Sequence, residues 1–310
     1  MSVDIGRWLA RACLAAALAL AAYGGVAFFS GASDVWPALG RIGSTAIVGG
    51  LLATSISLGV RAARWQLIFR RLGHRLPALF QLRVYLSGLA LSSTPGKLGE
   101  TSRSLLLRSR GVTYADSLAA FVCDRLADVI GVAALGAAAA ALAGSRQPLL
   151  ESIALFSFAG SLVLARLLRS RAGAIWLASP RRWAAMAAGP AAAWAGLWNG
   201  SSVGVYLAMA VLAHGITGLV FAAFVAQVHA GLGWAPCLAI FVNATLIGAA
   251  SMVPGGLVTM DAALVIQLQA AGVPAGAALA ASIATRVCTL LFAWAVGLGA
   301  LLSFSRSAAP

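Results

Sequence analysis

The chain has 310 residues, of which 61% are hydrophobic and only 10% are charged, and its formal net charge is +14. Soluble domains carry about 25% charged residues, so the composition excludes an ordinary soluble domain and indicates an integral membrane protein. The arginines stand between apolar runs, as they do in the cytoplasmic loops of membrane proteins, where they also attract anionic headgroups. We therefore assign the basic charge to membrane topology and expect no nucleic-acid partner.

The cysteines and histidines predict neither a disulfide framework nor a metal site. The four cysteines lie inside apolar segments without a CxxC pair, and the three histidines are far apart in the sequence. Motifs of zinc peptidases and phosphate-binding loops are absent from the sequence. We therefore expect a protein that is not an enzyme and that uses no cofactor.

Continuous apolar runs of roughly 20 residues predict membrane-spanning helices rather than the strands of a β-barrel. The first run follows two arginines and is interpreted as a retained helix over residues 8–30, not as a cleaved signal peptide. Residues 61–75 alternate between basic and apolar, which predicts an interfacial helix with Trp65 as its anchor. Residues 183–199 are either interfacial or a tilted span. The other predicted helices cover residues 42–60, 77–94, 117–143, 149–168, 203–228, 234–253 and 275–304.

The positive-inside rule orients these helices. With a cytoplasmic N-terminus, all arginine clusters face the cytoplasm only if two segments each enter and leave on one side of the membrane. Both segments break at a Pro-Gly pair, Pro95-Gly96 and Pro254-Gly255, as re-entrant hairpins require. The hairpins enter from opposite faces. We therefore predict a single all-α polytopic bundle over residues 1–310, with about seven or eight spans and two inverted repeats at about 42–143 and 203–304.

Scarce residues recur in the same order in the two halves. Pro-Gly-x-Leu begins at Pro95 and again at Pro254, 159 residues later. An acidic residue, a Gly-Val pair and an arginine follow in each half at an offset of 161 residues: Glu100 and Asp261, Gly111 and Gly272, Arg125 and Arg286. Internal repeats with broken helices are typical of transporters, and the corresponding breaks indicate the binding site.

The two breaks carry groups that suit a phosphate-bearing ligand. Half-helices that begin after the Pro-Gly pairs direct N–H groups and a positive dipole end toward the membrane centre. Lysine adds a compact cation, and arginine adds planar donor forks. The expected substrate-binding residues are Pro95, Gly96, Lys97, Glu100, Arg103, Asp124, Arg125, Asp128, Pro254, Gly255, Gly256, Asp261 and Arg286.

Other roles are open for the charged residues in this set. In one alternative, the arginines and acids pair with each other and only lock the hairpins, because an unpaired charge in lipid is costly. In another, Asp124 and Asp128 lie on one helix face and share a proton, which couples transport to protons. Asp116 is interpreted as the N-cap of the helix that follows Gly111.

Four motifs resemble those of a flippase-like membrane family that includes the membrane part of lysylphosphatidylglycerol synthases. They are RxxRW at residues 61–65, PGKLGExxR at 95–103, DRLAD at 124–128 and PGGLxxxD at 254–261, followed by Arg286. Asp124 and Asp261 stand where the family tends to have glutamate, and Val258 stands where it tends to have glycine. The aminoacyl-transferase domain of the synthases has no counterpart here, so the resemblance implies lipid translocation without lipid synthesis.

The residues and the resemblance together predict a protein that moves an amphipathic lipid between the leaflets of the bacterial inner membrane. The expected lipid is anionic, isoprenoid or hopanoid in type; its headgroup passes the charged hairpins while its tail stays in the bilayer. Lipid-biosynthesis enzymes are the other expected partners. One alternative is an intramembrane enzyme that uses Asp124 and Asp128 as acid–base groups on a lipid-linked substrate. A second is an accessory scaffold of a lipid-synthesis complex.

Overall fold

A computed structural model describes residues 34–90, 103–179, 182–251 and 253–306. The predicted helix over residues 8–30, the break at Pro95-Gly96, and Lys97 and Glu100 lie outside these described residues. The described α-helices, numbered here in chain order, are α1 (Val35–Arg71), α2 (Ala78–Ala90), α3 (Arg103–Arg108), α4 (Tyr114–Leu142), α5 (Pro148–Arg169), α6 (Arg171–Leu177), α7 (Arg182–Leu197), α8 (Gly200–Val228), α9 (Trp234–Ala250), α10 (Thr259–Ala270), α11 (Ala275–Arg286) and α12 (Phe292–Arg306).

Several of these helices are suited to a bilayer. Those long and apolar enough to cross it are Val35–Arg71, Pro148–Arg169, Gly200–Val228 and the stretch Ala275–Phe304, and the shorter apolar helices are Ala184–Leu197 and Trp234–Ala250. Large apolar side chains such as Ile56 and Phe156 are exposed on the outer surface, where contact with hydrocarbon is more favourable than contact with water. The chain is therefore an all-helical integral membrane protein.

Helix α1 continues without interruption through the basic stretch for which a separate interfacial helix was predicted. Its one kink is at Gly43, where φ is +69°. Trp65 is only 1% exposed, and its ring lies 5.0 Å from that of Phe69 and 6.0 Å from that of Tyr85. The predicted interfacial anchor was therefore wrong. The tryptophan is a core residue, because aromatic side chains of α1 and α2 surround it.

Two apolar clusters form most of the described core, and α1 and α8 pass through both. The first cluster joins the N-terminal part of α1 to the C-terminal part of α8 and to α9, α10 and α11, around Phe221 and Leu264. The second joins the C-terminal part of α1 to the start of α8 and to α2, α3, α4 and α7, around Trp65 and Trp198. The middle of α1 and the middle of α8 therefore lie where the two clusters meet.

The helical break predicted at Pro254-Gly255 is present as a short 3₁₀ turn, Pro254–Gly256, between α9 and α10. Gly255 and Gly256 have φ of +63° and +62°, values that favour glycine because L side chains are strained there. A Cβ atom added to Gly248 would lie 2.8 Å from the Cβ atom of Met260. The turn therefore brings α9 and α10 into close contact.

The start of α4 corrects one residue role. Its N-cap is Thr113, whose hydroxyl accepts a hydrogen bond from the backbone N–H of Asp116 at 3.1 Å. Asp116, predicted as the cap, is three residues further on. Its carboxylate accepts from the Thr113 hydroxyl at 2.8 Å and lies 2.9 Å from Nε2 of His74. Threonine caps the helix because its hydroxyl reaches the free N–H groups of the first turn.

Candidate functional site

Four charged residues, three of them buried, form a cluster between α1 and α4, which we call the α4 cluster: Arg64, Asp124, Arg125 and Asp128. Arg64 donates from Nε to Oδ1 of Asp124 at 2.8 Å and from Nη2 to Oδ1 of Asp128 at 2.6 Å. Arg125 donates from Nη2 to Oδ2 of Asp124 at 2.7 Å and lies 3.4 Å from Oδ2 of Asp128. Two arginines thus balance two carboxylates, so the residues predicted at this position do lie together.

Arg64 is the member of the α4 cluster that the sequence reasoning missed. It is fully buried, as is Asp124, and it comes from a helix 60 residues earlier in the chain. The sequence does indicate that a second cation is needed, because two acids in an apolar helix require two cations. Only Arg125 stands beside them in the sequence. With both carboxylates paired, the like-charge repulsion behind the idea of a shared proton is removed. The structure therefore offers no support for that alternative.

The second group of charges joins α11 to the turn before α10, and we call it the α10–α11 pair: Asp261 and Arg286. Arg286 donates from Nε to Oδ1 of Asp261 at 2.7 Å and from Nη2 to Oδ2 at 3.1 Å. Its guanidinium also donates to the carbonyl oxygens of Gly255 at 3.3 Å and Gly256 at 2.8 Å. One arginine therefore holds both the acid and the backbone of the Pro-Gly-Gly turn.

The start of α10 is occupied by the carboxylate of Asp261. Oδ2 of Asp261 accepts the backbone N–H of Val258 at 3.2 Å, and Oδ1 accepts the Ser282 hydroxyl at 3.3 Å. A carboxylate at this position also matches the positive end of the helix dipole. In the structure Asp261 occupies this helix start, and the expectation that a ligand phosphate binds there stays a prediction.

Backbone strain lies beside this pair. Val258 has φ +68° and ψ −49°, and the N–H of Thr259 donates to the carbonyl of Leu257 at 2.8 Å. These values define a γ-turn of positive φ, which is rare and strained for a β-branched residue. Directly after Arg286 the chain forms a π-helix, Val287–Leu291. Both irregularities are of the kind that concentrates at functional sites.

Arg103, at the start of α3, packs against aromatic side chains of α1 and α2. It is 1% exposed, and its guanidinium carbon is 5.1 Å from the ring centre of Trp65 and 4.7 Å from that of Tyr85. A Cβ atom on Gly88 would collide with its Nε. Arg103 thus lies between aromatic rings of the second core cluster, and its predicted substrate-binding role stays a prediction.

A cavity of about 230 Å³ lies where the two core clusters meet. Its lining includes cations and hydroxyls as well as apolar residues, and among the described residues it includes no acid: Thr54, Ser57, Leu58, Arg61, Leu89, His214, Thr217, Phe241, Thr245, Met260, Arg286, Thr289, Leu290, Ala293 and Trp294. Arg286 brings the α10–α11 pair to the cavity wall. His214 connects the wall to the α4 cluster, since its Nδ1 lies 3.9 Å from Oδ1 of Asp128.

A helical membrane protein with ion-paired charges around an internal cavity belongs to a class in which such charges mark a pathway or binding site for a polar group. The comparison with known families makes the class specific. A family model described as Lysylphosphatidylglycerol synthase TM region matches residues 14–297. The chain therefore belongs to that family, whose description relates it to lipid metabolism. A search of curated proteins finds no match to the chain.

Proposed function

We propose that this protein moves an amphipathic lipid between the leaflets of the bacterial inner membrane without converting it chemically. The observation that carries the proposal is the cavity, which places Arg286, five hydroxyl side chains and no described acid inside a membrane protein. Such a lining attracts a negatively charged headgroup and gives it a polar surrounding in place of water.

The size of the cavity supports passage of a headgroup rather than a whole lipid. Pockets for drug-sized molecules measure about 300–1,000 Å³, and this cavity measures about 230 Å³. A headgroup fits such a volume, whereas two acyl chains do not. The tails therefore stay in the bilayer while the headgroup crosses, which avoids exposing the charge to hydrocarbon.

The proposal includes two inverted repeats, each with a re-entrant hairpin. The break at Pro254–Gly256 and the close contact of α9 with α10 support the second hairpin. The first would have its break at Pro95-Gly96, with Lys97 and Glu100 beside it. Opposed hairpins around one cavity allow alternating access by small movements of one repeat against the other.

The α10–α11 pair is proposed as the movable part of the site. Arg286 touches the cavity and holds the carbonyls of Gly255 and Gly256. A headgroup that competes for the guanidinium would release these carbonyls and loosen the turn. Ligand binding and backbone movement would then be coupled through one side chain.

Transport is tested with purified protein in vesicles that contain acyl-labelled fluorescent lipids, whose outer-leaflet fraction is bleached by dithionite. We expect the double variant Arg286→Leu with Asp261→Leu, which leaves no unpaired charge, to fall to the rate of protein-free vesicles. Lys97→Ala should slow transport as well. Arg166→Gln, a change at an exposed basic residue of α5, should transport as wild type. Wild-type rates in the double variant and in Lys97→Ala for every lipid tested would refute the assignment of the site.

Lipid mass spectra of a strain that lacks the gene separate transport from enzymatic conversion. Transport predicts an unchanged set of lipids with an altered distribution between leaflets. A missing product would instead identify an enzyme. Copurification with lipid-synthesis enzymes, together with normal function of the double variant, would identify a scaffold.

A further inference from the structure

We propose that Arg61 is the anion-binding residue of the cavity and that the headgroup it holds carries one net negative charge on a phosphodiester. The inference rests on the proposed function, because it names the chemical class of lipid that the cavity accepts. It adds a residue outside the two groups of charges and a reason for charge selectivity.

The first observation is a pair of unpartnered hydrogen-bond donors on one face of α1. Arg61 lines the cavity, and its Nε is buried without a hydrogen-bond partner among the described residues. Thr54 lies two turns earlier on the same face, is 2% exposed, and its hydroxyl is likewise unpartnered. A buried guanidinium N–H can only donate, so the missing partner is an acceptor. An anionic oxygen supplies the strongest such acceptor.

The other hydroxyls of the cavity do not compete for this role. Each already gives its proton to a backbone carbonyl of a neighbouring helical turn or helix. Ser57 donates to Ala213 at 2.8 Å, Thr217 to His214 at 3.0 Å, Thr245 to Phe241 at 2.7 Å and Thr289 to Thr285 at 2.7 Å. The donors left for a ligand on α1 are therefore those of Arg61 and Thr54.

The second observation is the balance of charge around the cavity. The α4 cluster contains two arginines and two aspartates, and the α10–α11 pair contains one of each. Of the two arginines that line the cavity, Arg286 is paired with Asp261, whereas the described residues give Arg61 no acidic partner within ion-pair distance. An uncompensated charge inside a membrane protein is costly. A ligand with one negative charge neutralises Arg61 and removes that cost. A ligand with two negative charges would leave one negative charge without a cation.

The site therefore selects by charge as well as by shape. A phosphodiester brings one negative charge and two free oxygens, which match the planar fork of arginine. A phosphomonoester brings close to two charges above its second pKa, which is about 6. A zwitterionic headgroup adds a cation next to Arg61. Both should bind less well than a phosphodiester without a further charge.

The test is calorimetric titration of the full-length protein in a neutral detergent at pH 8.5 with three short-chain lipids. The probes are dihexanoyl phosphatidylmethanol as the monoanion, dihexanoyl phosphatidic acid as the dianion and dihexanoyl phosphatidylcholine as the zwitterion. We expect the monoanion to bind most tightly. Arg61→Gln should weaken its binding by about 10- to 100-fold, the range for loss of a charge-assisted hydrogen bond. Arg61→Lys should weaken it less. Arg70→Gln, an exposed arginine on the same helix, should bind as wild type.

The outcomes separate failure of this inference from failure of the proposed function. If Arg61→Gln binds the monoanion as tightly as Arg70→Gln, the role of Arg61 is wrong even where wild-type vesicles still transport lipid. Equal affinity for the three probes would refute the charge selectivity. If inorganic phosphate displaces the monoanionic lipid at concentrations similar to that lipid's dissociation constant, the ligand is a free anion rather than a headgroup. Tight binding of the monoanion without transport in vesicles would support the anion-binding role of Arg61 but overturn the proposed function. Thermal unfolding of Arg61→Gln near the wild-type temperature verifies that it folds.

Discussion

The α4 cluster and the α10–α11 pair both neutralise buried charge, but with different partners. The α4 cluster joins two helices that are far apart in sequence through four contacts between side chains, and one further contact of 3.4 Å reaches the carbonyl oxygen of Asp124 from Nη2 of Arg64. In the α10–α11 pair, the arginine also holds two backbone carbonyls of a glycine turn. Arg286 lines the cavity, whereas Arg64 does not. Aspartate and arginine therefore connect two helices in the α4 cluster. In the α10–α11 pair, the same residue types stabilise a turn beside the cavity.

Because only the α10–α11 pair reaches the cavity, we expect changes in the two groups of charges to affect stability and transport differently. Removing the α4 cluster should destabilise the protein whether or not a lipid is bound, because none of its four side chains is among the described residues that line the cavity. Removing the α10–α11 pair should affect both the fold and transport.

The largest effect is expected at Arg64. The change Arg64→Leu leaves two buried carboxylates with Arg125 as their one remaining partner in the cluster, and breaking a buried ion pair from one side costs about 3–5 kcal/mol of unfolding free energy. Thermal unfolding in detergent measures the loss as a lower midpoint. Arg70→Leu, at an exposed position of the same helix, is the matched control and should change stability by less than about 0.5 kcal/mol. Equal midpoints for the two variants would show that Arg64 does not stabilise the contact between α1 and α4.

A double-mutant cycle at the α10–α11 pair should show a large coupling. Arg286→Leu alone leaves Asp261 buried without its cation and should cost about 3 kcal/mol. Adding Asp261→Leu removes the unpaired charge and should restore part of the loss, with a coupling energy of about 1–3 kcal/mol. Unfolding free energies of the wild type, the two single variants and the double variant give this value. Strictly additive losses would mean that the two side chains act independently.

The extents of the membrane helices were predictable because long apolar runs end at charged residues or turn residues. The runs 149–168 and 203–228 correspond to the helices Pro148–Arg169 and Gly200–Val228. Scarcity of charge in such runs also made the pairing of Asp261 with Arg286 foreseeable. The number of spans and the inverted repeats stay predictions, because the first helix and the first break lie outside the described residues.

The burial of Arg64 and Trp65 was not predictable from local pattern. A basic amphipathic stretch has the same letters whether it lies on a membrane surface or packs inside a bundle. Its environment here is decided by α2 and α4, which supply Tyr85 and the two aspartates. Arg61 is one helical turn from Arg64, yet it faces the cavity, and the described residues give it no acidic partner within ion-pair distance. Only tertiary contacts distinguish the two arginines.

A smaller effect, of opposite sign, is expected in the turn beside the α10–α11 pair. Val258 adopts positive φ, where strain amounts to about 1–3 kcal/mol. Val258→Gly removes the strain but gives the unfolded chain more freedom, at a cost of about 0.5–1 kcal/mol, so a net gain of about 1 kcal/mol is expected. Val258→Ala keeps a Cβ atom and should gain less. A lower unfolding midpoint for the glycine variant than for the alanine variant would contradict the strain.

The smallest loss is expected at Arg125, the outer arginine of the α4 cluster. Its side chain is 28% exposed, whereas that of Arg64 is fully buried. After Arg125→Gln, Arg64 still contacts both aspartates, so the loss should be about 0.2–1 kcal/mol, as for an ion pair with one partly exposed partner. Thermal unfolding of Arg125→Gln beside Arg64→Leu measures the difference within one cluster. A loss at Arg125 as large as that at Arg64 would mean that the two arginines share the carboxylates equally. The cluster would then lack the buried inner pair that distinguishes it from the α10–α11 pair.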